Sequence, residues 1–260
     1  MNNSNDPNLI LYAQLSLAAL PIFVTTDRQI YIGDYITIKQ IIRFSNSYSN
    51  QTTTIATVSS YYILGLFVDL NNTLYCSMSH EYKVVKKSLN DSSSTMITVA
   101  GTGSSGSLSN LLTYPSGIFV DTNFDLYVAD QGNNRIQLFQ LGQTNGITVA
   151  GSTSVDITIP LSGPTNVILD GNKYLFITDT NNNRIIGSDA NGFRCIVACS
   201  MSSGSTSNQL SNPQSIAFDS FGNLFVVDNN NHRIQKFWLS TNFCNRERKK
   251  QRFDIFQFIV

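Results

Sequence analysis

Short apolar runs alternate with polar punctuation along most of this chain. After Pro115 the runs Gly117–Asp121, Asp125–Asp130, Arg135–Gln140 and Gly146–Gly151 are rich in β-branched and aromatic residues. Such runs predict strands, and no segment sustains a helical period. The pattern then recurs. Asp125–Gln137 (DLYVADQGNNRIQ) returns as Tyr174–Ile186 (YLFITDTNNNRII) and as Asn223–Gln235 (NLFVVDNNNHRIQ). Pro115, Pro164 and Pro213 are 49 residues apart, and so are Asp121, Asp170 and Asp219; Asp130, Asp179 and Asp228; and Arg135, Arg184 and Arg233. A fixed period of this length with four β-runs per unit predicts propeller blades.

Two fainter copies lie upstream. Leu66–Val85 keeps two strands and a basic residue, Lys83, but has Met78 where the later copies have Asp. Ile22–Asp34 keeps two strands. Five copies result, at about 22–60, 61–100, 111–151, 160–199 and 209–241, in one domain over 1–241, with a divergent tail at 242–260. The expectation is an all-β propeller of five recognisable four-stranded blades, closing as a five-bladed ring or as a six-bladed one with a blade missing. The fifth copy shows only three strands. Asn8–Gln14 is a surplus strand and is expected to pair there, since closure removes an exposed sheet edge.

The pattern P-x-x-I-x-V-D-x-x-x-x-L-Y-V-A-D-x-x-N-N-R-I-Q, followed by a T-V-A-G strand, resembles the NHL repeat over about Ile22–Trp238. That resemblance implies a β-propeller, usually six-bladed. Some members are zinc-dependent amidating lyases, others bind RNA through a basic face, and others recruit proteins.

Composition narrows these classes. Formal net charge is zero and charged residues are 13% of the chain, which argues against a broad nucleic-acid surface. Leu9–Val24 is apolar but interrupted by Gln14, Ser16 and Pro21, and it is too short to span a membrane. No Lys or Arg precedes Arg28, unlike a secretory leader. A soluble protein is expected, with its compartment open. Cys195 and Cys199 flank three residues of a fourth strand, about 13 Å apart if extended at ~3.3 Å per residue, so free thiols are expected.

The candidate chemistry is thin. His80 and His232 sit on distant copies and cannot form a three-histidine zinc site. A calcium-dependent lactonase-like hydrolase needs oxygen ligands around the channel, and Asn166 is the one polar candidate near a first strand. No G-x-S-x-G elbow occurs. No catalytic residue, metal or cofactor is therefore assigned. Asp130, Asp179 and Asp228 repeat in every strong copy and are expected to be structural. The expected function is non-catalytic binding of a protein, peptide or glycan through the loops that follow the second strands. The residues for that rim are Gln131, Asn134, Arg135, Asn183, Arg184, His232 and Arg233. A channel hydrolase or lyase and an RNA-binding module are the alternatives.

Overall fold

The computed structural model describes residues 19–25, 29–34, 40–44, 52–57, 62–91, 95–152 and 158–238. Every element among them is a strand or a single 3₁₀ turn. Blade 1 comprises β1 (Ala19–Val24), β2 (Ile30–Asp34), β3 (Gln40–Phe44) and β4 (Thr52–Thr57). Blade 2 comprises β5 (Ile63–Val68), β6 (Thr73–Met78), β7 (Lys83–Ser88) and β8 (Ile97–Ala100). Blade 3 comprises β9 (Pro115–Val120), β10 (Leu126–Asp130), β11 (Arg135–Phe139) and β12 (Ile147–Gly151). Blade 4 comprises β13 (Pro164–Leu169), β14 (Leu175–Asp179), β15 (Arg184–Asp189) and β16 (Gly192–Val197). Blade 5 comprises β17 (Pro213–Phe218), β18 (Leu224–Asp228) and β19 (Arg233–Phe237).

Strands within each blade are antiparallel neighbours in chain order, the arrangement of a β-propeller. The expectation of five four-stranded blades is corrected. Four blades are complete among the described residues, and the fifth copy forms a three-stranded sheet. Asn8–Gln14 and the tail 242–260 lie outside the described residues, and so does the pairing expected to close the ring. Pro115, Pro164 and Pro213 open their strands rather than precede them, a position where the missing N–H is tolerated. A bulge interrupts the pairing of first and second strands in all five sheets, adding local twist.

First strands stack in the order β1, β5, β9, β13, β17, with no comparable packing from β17 to β1 among the described residues. Phe23, Phe67 and Phe119 form a ladder across the first three, at centroid spacings of 4.9 and 5.1 Å. A Cβ on Gly117 would sit 2.7 Å from the Thr165 carbonyl oxygen, so close approach of β9 and β13 requires glycine there. Three apolar clusters fill the seams between blades. Tight turns join first to second strands. The Asp121 carboxylate accepts the N–H groups of Asn123 and Asp125, and Asp69, Asp170 and Asp219 repeat this bonding.

The free-thiol expectation for Cys195 and Cys199 is also corrected. They form a disulfide, with Cα atoms 5.6 Å apart. The extended-chain estimate fails because β16 ends at Val197 and Ala198 is left-handed (φ 55°), which turns the chain back on itself. Cys76 is a free, buried thiol, and burial pushes its pKa up.

Candidate functional site

The polar connection after each second strand is a 3₁₀ turn closed by a left-handed residue. Gln131–Asn133 is capped by Asn134 (φ 55°), Thr180–Asn182 by Asn183 (φ 50°), Asn229–Asn231 by His232 (φ 49°) and Ser79–Glu81 by Tyr82 (φ 51°). Asn is at home in this backbone region, and a bulky ring is not.

The repeated Asp and Arg hold these turns onto the linker that enters the same blade. Asp130 accepts the Thr113 N–H at 2.7 Å, the Asn133 amide at 2.8 Å and the Arg135 Nε at 2.7 Å. The remaining Arg135 nitrogens donate to the carbonyls of Ser107, Leu108 and Leu111. Asp179 accepts from Ser162, Asn182 and Arg184, and Arg184 reaches the Pro160 carbonyl. Asp228 accepts from Ser211, Asn231, Arg233 and Gln235, and Arg233 reaches Ser205, Thr206 and Gln209. The turns and the Gly/Ser-rich linkers therefore share one face, and each guanidinium fork is committed to it.

Arg135 and Arg184 are buried, so two residues expected on the rim lie beneath it, while Arg233 keeps 30% of its side chain exposed. Asn134 and Asn183 act between blades: their side-chain oxygens accept the N–H groups of Gly163 and Asn212 at 2.7 and 2.9 Å. Thr180 is buried and donates to the Pro213 carbonyl. Gln131 is half-buried, and Gly132, Asn181, Asn229, Asn230 and His232 are exposed. Burial raises the Asp130 carboxyl above its ordinary value, against the bonds from Thr113, Asn133 and Arg135. Burial also opposes ionisation of Asp228, but the bonds from Asn231, Ser211, Arg233 and Gln235 prevail and lower it.

Sequence reasoning missed an aromatic group on this face. Tyr62 stacks on His80 at 4.2 Å, His80 meets Tyr114 edge-on at 5.6 Å, and Tyr82 meets Tyr114 edge-on at 5.5 Å. Tyr82 occupies the turn-closing position that Asn134, Asn183 and His232 fill elsewhere, and Tyr114 precedes Pro115 where Gly163 and Asn212 precede the later prolines. That break in the repeat was the available signal.

The described residues offer no side-chain cluster that fits a bound metal. Among the described residues, no three His, Cys, Asp or Glu side chains come together. Asn166 is buried on β13, donates to the Ser215 hydroxyl at 2.8 Å and has no carboxylate cluster beside it.

The NHL repeat model matches residues 210–237, which cover β17 to β19. The chain is an all-β propeller whose residues 210–237 match an NHL repeat. The chain has no match among curated proteins. It is similar in fold to a streptogramin B lyase structure, at 14% identity over 95% of this chain and 70% of that one, with a TM-score of 0.64. It is also similar to a chain of the nidogen/laminin complex, at 18% identity over 88% and 76%, with a TM-score of 0.60. A third likeness is to a catalytically inactive virginiamycin B lyase from Staphylococcus aureus with quinupristin, at 14% identity over 84% and 69%, with a TM-score of 0.57. At these identities the likeness speaks for fold alone.

Proposed function

We propose that this NHL propeller is a non-catalytic binding scaffold whose turn-and-linker face receives a protein, peptide or glycan. The observation that carries this reading is the division of labour on that face. Asp130, Asp179, Asp228 and their arginines bond inward, while Asn181, Asn229, Asn230 and His232 project polar groups outward from a rigid base. A fold-mate drawn from a protein–protein complex is consistent with a protein partner.

A lyase with a site in the central channel is the second reading, favoured by the fold-mates that are lyases. The histidine arrangement weighs against it. His80 is engaged with Tyr62 and Tyr114 on blade 2, and His232 lies on blade 5.

The test pairs two assays. Residues 131–134, 180–183 and 229–232 are replaced together by Gly-Ser sequences, and binding is measured against peptide and glycan arrays. Lactone and ester hydrolysis is assayed with added Ca²⁺ and Zn²⁺. Binding that disappears on replacement, without turnover, is the expected result. Metal-dependent turnover that survives replacement would overturn the scaffold reading.

A further inference from the structure

A cleft of about 130 Å³ opens between blades 2 and 3, at the end of the blades opposite the 3₁₀ turns. β9 starts at Pro115 beside Asp130 and ends near the Asp121 turn, and β11 runs away from Arg135, so the turns at 121–125 and 140–146 share that opposite end. Leu126 and Phe139, buried partners across β10 and β11, line the cleft from blade 3. Tyr75 and Lys86, partners across β6 and β7, line it from blade 2. Half-buried Phe124 and exposed Leu141 complete it from the two turns.

Two of these rings are peculiar to this junction. Phe124 closes its turn in the left-handed region (φ 64°), at the position that Asn72, Lys173 and Gly222 fill in the other blades. A bulky ring is uncommon in that backbone, and such strain collects at functional sites. Phe139 becomes Ser188 49 positions later, where the hydroxyl accepts the Leu175 N–H at 2.8 Å instead. Lys86 is also unusual. Lys83, Lys173 and Lys236 pair with Glu81, Asp121 and Asp219, and Lys87 donates to the Ile55 carbonyl. Lys86 alone among the described lysines has no oxygen partner, and its ammonium lies 6.0 Å from the Tyr75 ring centroid, at the outer limit of cation–π attraction. The carboxylates at this end are committed to the chain. Asp69 accepts the N–H groups of Asn71 and Thr73 and the Tyr75 hydroxyl, and Asp125 accepts the Leu141 N–H.

We propose that this cleft binds a small aromatic monocarboxylate, with its ring among Tyr75, Phe124 and Phe139 and its carboxylate on the Lys86 ammonium. The volume sets the size of the ligand. It is below the roughly 300–1,000 Å³ of pockets for drug-sized molecules, and close to the ~150 Å³ of an apolar cavity that holds benzene. One ring therefore fits and two do not. The charge sets its class. A single ammonium beside apolar walls suits a single carboxylate, through a charge-assisted hydrogen bond that is stronger than a neutral one. A neutral ring would leave the ammonium unpaired, and a small anion without a ring would leave the apolar walls wet. The site is separate from the turn-and-linker face and does not depend on the reading of that face.

Ligand-observed NMR titration of the full chain tests the proposal, with benzoate as probe, benzamide as the neutral ring and acetate as the carboxylate without a ring. Benzoate is expected to bind about tenfold or more tighter than either. Lys86→Leu installs the residue type that the next blade carries at Leu138. It is expected to weaken benzoate about tenfold, to leave benzamide unchanged and to keep the melting temperature. Lys86→Met, which retains most of the aliphatic stem, repeats the measurement, so a folding defect in one variant does not decide the outcome. Acetate or benzamide binding as tightly as benzoate would overturn the proposal, and so would undiminished benzoate binding in a folded Lys86 variant. Replacement of residues 131–134, 180–183 and 229–232 leaves the cleft in place, so failure of the scaffold reading is detected separately.

Discussion

Blades 4 and 5 carry equivalent faces, and among the described residues only that of blade 4 is covered by a following blade. Ile168, Phe176 and Ile185 are buried against Ile216, Leu224 and Val226 of blade 5. The residues 49 positions later are Ala217, Phe225 and Ile234. There Ile234 is 49% exposed, and Ala217 and Phe225 are half-buried. The repeat sequence is nearly the same, so burial is a property of the neighbour, as expected where units stack on one another. One difference fits an uncovered face. Gly187 in blade 4 becomes Lys236, whose ammonium lies over Trp238 and Phe225 and pairs with Asp219 at 3.3 Å. A lysine on an open sheet discourages unwanted association.

The largest expected effect concerns the turn carboxylates. Asp179→Ala should cost about 3–5 kcal/mol, because it leaves the buried Arg184 without its carboxylate. Asp228→Ala should cost distinctly less, since Arg233 can be hydrated. Urea unfolding of both variants measures the gap, and equal losses would break the comparison. Next come the apolar faces. Ile185→Ala should cost about 2–5 kcal/mol, and Ile234→Ala no more than about 0.5 kcal/mol, by the same assay.

The staple on the outer strand of blade 4 follows. Cys199→Ser opens a short loop whose closure should contribute ~2 kcal/mol by chain entropy, read as a lower melting temperature that added reductant no longer shifts. The smallest effect is in pH. The folded Asp228 carboxyl binds its proton more weakly than an unfolded Asp, whose pKa is about 3.9. Its stabilisation is therefore present above that value and is lost as pH falls through the folded pKa. Asp228→Asn should flatten the acid limb of stability below about pH 4, and an unchanged limb would contradict the shift.

The blade pattern was legible because the 49-residue spacing and the strand runs are both local properties of the sequence. The recurrence of Asp130 and Arg135 was legible for the same reason. Two things were not. Whether a guanidinium points into solvent or into a linker depends on carbonyls 24 to 28 residues away, such as those of Leu111 and Ser107 for Arg135. The Cys195–Cys199 bridge depends on the backbone conformation of Ala198, which no hydrophobic pattern encodes. The tyrosine pair at 82 and 114 could have been read by aligning the weak second copy with the strong ones, since it breaks the Asn and Gly pattern.

The central claim is that the repeated arginines belong to the scaffold and the exposed turn residues to the binding surface. Arg184→Ala and Asn181→Ala test it directly when urea unfolding is measured beside binding to the ligand selected by the arrays. The account predicts that Arg184→Ala loses stability while its folded fraction still binds, and that Asn181→Ala keeps stability and binds more weakly. Unchanged stability with selective loss of binding in Arg184→Ala would contradict it and return the arginines to the rim.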